Sequence, residues 1–331
     1  MNAPGGRVLV TGATGFIGRY IVESLAAEGI AVRAMVRRRG ALPGNVETAI
    51  VQDLLDREAV RAAVRGASAI VHLAGRAHAK PEGRNDPSSE CRRINVDGTA
   101  LLLEEATAAD VRTFVFASSV KAVASESSAP LTAMTPPQPG DAYGQSKLEA
   151  ERLIKVVAAR AGMFAPILRL PVVYGPGMKA NMAALFGAVD RGIPLPLGSV
   201  YNRRSFAYIG NVSGAVHALL QRPRTGAPVG YVSDEHDLST PALVREIAIA
   251  LGRPPRLFPM PSGLLRAAGA TGGLLSRIAG LHFSSESITA VLGSLFVDTS
   301  SLREMTGVSP HFSLGQGMSL TAAAYRRARE A

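Results

Sequence analysis

Short continuous apolar runs alternate with helical patterns through the first half of the chain. The runs over 7–11, 31–36, 47–50, 69–73, 112–118 and 166–170 read as strands. Apolar positions at helical spacing predict helices over 15–28, 56–65, 90–109 and 142–161. Strands that are apolar on both faces and separated by helices predict an α/β fold, a parallel doubly wound sheet covered on both sides. Right-handed crossovers then bring the carboxyl ends of the strands to one edge, where ligands bind.

The second half changes character. Pro and Gly punctuate it at Tyr174-Gly175-Pro176-Gly177, at Gly192-Ile193-Pro194-Leu195-Pro196-Leu197-Gly198 and at Gly252-Arg253-Pro254-Pro255. Helical patterns lie between them over 181–191, 212–221, 240–251, 284–295 and 314–327, and Gly230-Tyr231-Val232-Ser233 offers a late strand. The expected organisation is a Rossmann-type cofactor domain over 1–173 and a smaller, interleaved substrate domain over 174–331, with segments around 204–235 returning to the sheet. The Ser/Pro-rich stretch 125–141 reads as a mobile loop near the site.

Composition adds limits. A chain of 331 residues with 47% hydrophobic content can bury a large core. The single cysteine, Cys91, excludes an internal disulfide and favours a reducing, cytoplasmic setting. The N-terminal residues are too short and polar for a signal peptide. The apolar stretch 262–283 is interrupted by Arg266, Arg277 and glycines, so no integral membrane segment is expected; a helical cover over the substrate pocket fits it better. The net charge of +10 comes from scattered arginines without interleaved aromatics, which argues against nucleic acid and for a few phosphate-binding arginines.

The first strand runs into Thr11-Gly12-Ala13-Thr14-Gly15-Phe16-Ile17-Gly18 and then a helix. Backbone N–H groups and a helix N-terminus there can receive a pyrophosphate. Gly12 permits the tight turn, Gly15 lets the backbone approach the phosphates, and Gly18 allows close helix–strand packing.

Tyr143-Gly144-Gln145-Ser146-Lys147 places a phenol and an ammonium four residues apart on one helix face. An unperturbed phenol titrates near pH ~10. A neighbouring ammonium and an oxidised nicotinamide ring are expected to lower that value toward the range useful for proton transfer with an alcohol. The strand Phe114-Val115-Phe116-Ala117-Ser118-Ser119 ends in two hydroxyls at the ligand edge, where Ser119 can hold a substrate oxygen beside the phenol.

Together the glycine turn, the strand-end serine and Tyr-x-x-x-Lys resemble the extended short-chain dehydrogenase/reductase family, the NAD(P)-dependent epimerases and dehydratases. Further matches span nearly the whole chain. Asp53-Leu54 is similar to the family's adenine-contacting pair, Leu73-Ala74-Gly75 after His72 to its strand end beside the cofactor, and Asn95-Val96-Asp97-Gly98-Thr99 to its Asn-Val-x-Gly-Thr helix. Arg169-Leu170-Pro171-Val172-Val173-Tyr174-Gly175-Pro176 resembles the segment against the nicotinamide, and Arg204-Ser205-Phe206 the strand whose Arg holds a nucleotide-sugar diphosphate.

The resemblance is strongest to bacterial UDP-4-keto-6-deoxy-N-acetylhexosamine 4-reductases of surface-polysaccharide synthesis, through Ser118-Ser119-Val120-Lys121, Lys179-Ala180-Asn181, Pro194-Leu195-Pro196-Leu197-Gly198 and Asn202-Arg203-Arg204-Ser205. It implies Ser119, Tyr143 and Lys147 as the catalytic trio. It implies a cofactor site of Gly12, Thr14, Gly15, Phe16, Ile17, Gly18, Asp53, Leu54, Leu73, Ala74, Gly75, Asn95, Ser118, Pro171 and Val173 together with Tyr143 and Lys147. Ser119, Lys121, Lys179, Asn181, Pro196 and Arg204 would meet a UDP-sugar.

The sugar epimerases carry Val-Tyr-Gly shortly after the strand-end serine; Ala122-Val123-Ala124 stands there in this chain, which weakens the 4-epimerase alternative. A non-catalytic NADP(H)-binding sensor is the further alternative, disfavoured because both Tyr143 and Lys147 are present. The second strand ends in Arg37-Arg38-Arg39 with no acidic residue for a ribose 2′-OH, so Arg37 or Arg38 is expected to meet a 2′-phosphate and NADP(H) is expected over NAD(H). Relatives of this kind dimerise through the helices that here are 90–109 and 142–161, which implies a homodimer. No metal site is expected: His72 reads as a strand-end packing residue, and His78, His217, His236, His282 and His311 lack metal-ligand spacing.

Overall fold

The computed structural model describes residues 6–40, 42–77, 87–222, 224–270 and 291–330. Expectations for His78, His282 and most of the helix over 284–295 lie outside the described residues.

Seven parallel strands form the central sheet in the order β3-β2-β1-β4-β5-β6-β9. They are β1 (Arg7–Thr11), β2 (Val32–Val36), β3 (Glu47–Ile50), β4 (Ala67–His72), β5 (Thr113–Ser119), β6 (Ile167–Leu170) and β9 (Val229–Tyr231). Strand order reverses between β1 and β4, and a crevice opens at that switch point. Alternation along β1 shows why both faces are covered. Val8 and Val10 enter the core shared with α1 (Phe16–Ala27) and α7 (Ile209–Leu220), while Leu9 enters the opposite core with α2 (Arg57–Val64), α4 (Gly98–Ala108) and α5 (Ala142–Ala161). Each such buried side chain contributes about 1.5–3 kcal/mol of transfer free energy.

Local signals set the helix ends. Asp56 caps α2 by accepting from the Ala59 N–H at 3.1 Å, and Asp141 caps α5 by accepting from the Gly144 N–H at 2.7 Å, each worth about 1 kcal/mol. The α5 helix ends at Gly162, whose φ of 62° is left-handed. The single helix expected over 90–109 is instead α3 (Pro87–Arg92), a π-helical turn at Arg93–Asp97, and α4. The extra residue in the wide turn directs Asn95 inward, a local insertion that hydrophobic periodicity does not reveal.

A third core lies beyond the sheet, where Tyr174, Phe186, Leu195, Tyr208, Ile247 and Met318 pack together. It joins β7 (Val172–Tyr174), α6 (Ala180–Asp190), β8 (Phe206–Tyr208), α8 (Thr240–Leu251) and α11 (Leu314–Glu330), with α9 (Ser262–Ala270) beside it and α10 (Ser300–Thr306) packed on β9. The short β7–β8 pair forms a second parallel sheet that the sequence reading did not anticipate. The 125–141 stretch, expected to be mobile, is tied by backbone bonds: Ser127 N–H to Ser294 at 2.7 Å, Leu131 N–H to Phe296 at 2.8 Å and Gln138 N–H to Val123 at 2.7 Å. No described helix is long and apolar enough to cross a membrane.

Candidate active site

A groove of about 770 Å³ opens along the strand ends. Gly12, Thr14, Gly15, Asp53, Leu54, Leu73, Ala74 and Gly75 line it, and Arg37 lines it at the end of β2. Gly12 has a left-handed φ of 65°, and a Cβ there would lie 2.8 Å from the Ala74 amide nitrogen. A Cβ on Gly18 would lie 2.1 Å from the Gly12 carbonyl oxygen. The backbone is thus packed against itself under an open cradle whose helix N-terminus faces the groove. Phe16 and Ile17 begin that helix. Gly75 closes the other wall, where a Cβ would meet Asn95 Oδ1 at 3.1 Å and Lys147 Nζ at 3.2 Å. These features fit a dinucleotide.

At the far end of the groove the Asp53 carboxylate accepts from the Leu55 N–H at 3.0 Å and forms an ion pair with Arg93. These bonds hold the Asp53 carboxyl below its ordinary range. Arg93 also lines the groove and was missed by sequence reasoning, because the π-helical turn that presents it is not visible there. Leu54 packs on Gly98. Arg38 is exposed.

The three residues of the expected catalytic trio converge. Ser119 ends β5, and the Tyr143 phenol on α5 stands near its hydroxyl. Lys147 is buried and donates from Nζ to the Ala117 carbonyl oxygen at 2.8 Å, with Nζ 4.6 Å from the Phe116 ring centroid. Burial lowers the Lys147 pKa to about 8, while Glu151 acts to raise it. Tyr143 departs from expectation. Burial pushes its phenol up to about 12; the nearby Ser119 hydroxyl acts the other way, and Asp141 and Cys91 add to the rise. The protein's own groups therefore do not produce the lowered phenol expected from the Tyr–Lys spacing.

Asn95 supports this arrangement from the π turn. Its Nδ2 donates to Ser146 Oγ at 2.8 Å and to the Arg76 carbonyl at 3.1 Å, and its Oδ1 accepts from the Arg76 N–H at 2.8 Å. His72 is a packing residue, as expected: it is buried between Thr11 Oγ1 at 2.7 Å and Thr99 Oγ1 at 2.9 Å, and burial lowers its pKa to about 3.

The other expected site residues lie along the strand ends and in the second half of the chain. The Ser118 hydroxyl turns away from the groove and donates to Glu151 at 2.5 Å, because alternate strand positions face opposite ways. Lys121 is paired with Asp141 at 2.7 Å. Lys179, expected at the sugar diphosphate, lines the dinucleotide groove, since the loop after β7 folds back over the glycine turn. Asn181 is exposed on α6, and Pro196 is buried between Leu195 and Leu197. Arg204 precedes β8, is half-buried, and donates to the Gly293 carbonyl at 3.1 Å with Glu126 nearby. Pro171 joins β6 to β7, and Val173 lies within β7. Among the described residues no cluster of His, Cys, Asp and Glu could hold a metal ion.

Comparison with known proteins agrees with this geometry. Residues 8–232 match the NAD dependent epimerase/dehydratase family. A UDP-glucose 4-epimerase from Vibrio cholerae is 33% identical, over 97% of this chain and 96% of that protein. Among solved structures, MoeE5 in complex with UDP-glucuronic acid and NAD superposes with a TM-score of 0.77 at 27% identity, covering 98% of this chain and 100% of that one. The UDP-glucose 4-epimerase of Thermus thermophilus in complex with NAD gives a TM-score of 0.75 at 26% identity, covering 97% and 99%. This chain belongs to the NAD dependent epimerase/dehydratase family and is a nicotinamide-dependent enzyme of the extended short-chain dehydrogenase/reductase type.

Proposed function

We propose that the protein reduces the C4 ketone of a UDP-4-keto-6-deoxy-N-acetylhexosamine with NADPH, in the cytoplasm, for surface-polysaccharide synthesis. The observation that carries this reading is Arg37 lining the groove at the end of β2, where the sequence runs Arg37-Arg38-Arg39 without an acidic residue for a ribose 2′-OH. A guanidinium there pairs with a 2′-phosphate by charge-assisted hydrogen bonds. NADP(H) is the cofactor expected for net reduction.

Gly12, Thr14, Gly15 and the N-terminus of α1 would hold the pyrophosphate, with Lys179 adding charge from across the groove. A nicotinamide bound there would supply hydride to the ketone carbon. Ser119 donates a hydrogen bond to the ketone oxygen and orients it. Tyr143 gives that oxygen its proton. A phenol held near 12 stays protonated at neutral pH, and the alkoxide it meets is the stronger base, so transfer runs downhill. Lys147 holds the nicotinamide ribose and, as an ammonium, steadies the phenolate that Tyr143 becomes. Arg204 and Asn181 would hold the substrate diphosphate. In this reading residues 1–173 carry the cofactor and 174–331 close over the sugar, while the exposed face of α5, where Val156 is 48% accessible, packs against a second copy in a homodimer.

A UDP-sugar 4-epimerase is the second reading, favoured by the Vibrio cholerae relative. It uses the same trio but needs a phenolate first, which requires the positive charge of an oxidised nicotinamide to overcome the burial of Tyr143. Ala122 and Val123, at the position of the epimerases' aromatic, are buried; Val123 packs with Val120, Leu131 and Tyr231. Incubating the protein with UDP-hexoses and, separately, with NADPH and the 4-keto sugar tests the choice. Epimer exchange without added cofactor supports the epimerase, and NADPH-dependent formation of a 4-hydroxy sugar supports the reductase.

A further inference from the structure

Tyr143, Lys147 and Glu151 stand four residues apart on α5 and so share one face. Each stands by a different residue at the end of β5. Tyr143 stands near Ser119, Lys147 donates to the Ala117 carbonyl at 2.8 Å, and Glu151 accepts from Ser118 Oγ at 2.5 Å. The proposed reaction uses the first two rungs and gives the third no task.

The third rung is elaborate. Glu151 is 1% exposed, and its carboxylate also accepts from Arg169 Nε at 3.0 Å and Nη2 at 2.7 Å. Arg169, on β6, is itself buried and donates from Nη1 to Tyr231 Oη at 3.0 Å. Removing two charges from water is costly, and a well-packed apolar pair often serves stability equally well or better. Stability alone therefore does not account for a buried ion pair one turn below the reactive lysine.

The geometry points to Glu151, clamped by Arg169 and Ser118, as a positioning residue that fixes the end of β5 against α5 and keeps Lys147 charged. This rests on the reading that Lys147 works as an ammonium. Lys147 is buried among few charges. Tyr143 and Glu151 face it on its own helix, His72 on β4 is held neutral, and Arg169 on β6 lies behind Glu151. Beyond Gly75 the Arg76–Glu90 ion pair closes at 3.0 Å, and Cys91 and Asp141 act on Tyr143. Of these groups Glu151 is the anion that opposes the burial of Lys147.

The chain has five lysines: Lys80, Lys121, Lys147, Lys155 and Lys179. Lysine-labelled full-length protein, free of cofactor, can therefore be titrated by NMR, with the Lys147 signal assigned by its loss in Lys147→Arg. Wild-type Lys147 is expected to titrate at about 8. Glu151→Gln should lower that value by about a unit or more, the usual effect of losing an opposite charge at close range. The alkaline limb of kcat/KM should move down with it. Glu151→Gln strands the Arg169 charge, so Glu151→Gln with Arg169→Met provides a second variant without that burden, in which Lys147 should again titrate below wild type. A residue serving structure alone would lower thermal stability and leave the Lys147 titration in place. An unchanged Lys147 titration in either folded variant overturns the proposal. The titration uses neither cofactor nor sugar, so an error in the proposed reaction would silence the kinetic limb while leaving the NMR result readable.

Discussion

Lys147 on α5 is bonded to the main chain of Ala117 on β5, its Nζ donating to that carbonyl oxygen at 2.8 Å. The bond ties the reactive helix to the strand that ends in Ser119, two residues further on. Helix and strand therefore deliver proton donor and oxygen-binding hydroxyl as one unit. The ammonium also lies beside Gly75, at the wall of the dinucleotide groove. One side chain thus spans the join between the cofactor site and the trio.

Replacing Tyr143 by Phe removes the proposed proton donor and keeps the ring. Turnover should fall by about 10²–10⁴-fold, the usual contribution of a positioned acid. NADPH affinity, measured by fluorescence titration, should stay within about twofold, because the phosphate cradle lies elsewhere. Retained turnover would refute the assignment.

The phenol of Tyr143 should ionise late. In the cofactor-free protein the difference in phenolate absorbance between wild type and Tyr143→Phe should develop around pH 12, above the ordinary tyrosine range. The sign follows from the raised value. The unfolded chain releases this proton near pH ~10, so the stability linked to it is complete below that pH and is lost as pH rises toward 12. A difference spectrum centred at the ordinary value would show that the site does not bury the phenol.

Gly18→Ala tests the packing beneath the cradle. The new Cβ would sit 2.1 Å from the Gly12 carbonyl oxygen, and backbone would have to move. A loss of about 1–3 kcal/mol in unfolding free energy is expected, with cofactor affinity falling alongside. Equal melting temperatures and equal cofactor affinity would contradict this account of the turn.

Arg37→Ala tests cofactor choice. NADP(H) affinity should drop by about 10–100-fold, the worth of one charge-assisted bond to phosphate, with NAD(H) affinity nearly unchanged. Equal losses for both cofactors would remove the basis for NADPH.

Much of this was legible in the sequence because it is local. The glycine turn, the Tyr–Lys pair and the apolar strands carry their signals within a few residues, and α5 and α8 begin and end where periodicity and caps place them. Longer-range features were hidden. Ser118 reads as a groove residue until its partner Glu151 is known, 33 positions away. The pairing of Asp53 with Arg93, 40 positions away, is likewise invisible in the sequence. Lys179 lines the groove because the loop after β7 returns to the glycine turn, and the π turn that aims Asn95 adds a residue no periodicity registers. The β7–β8 pair escaped for the same reason: each strand has three residues, and their pairing is made by tertiary packing.

The most direct test of the central claim is NADPH oxidation by the purified protein with a UDP-4-keto-6-deoxy-N-acetylhexosamine as substrate. The account predicts NADPH loss equal to the amount of 4-hydroxy sugar formed, abolished in Tyr143→Phe. No NADPH loss, together with interconversion of UDP-hexose epimers by the same preparation, would contradict it and establish the epimerase.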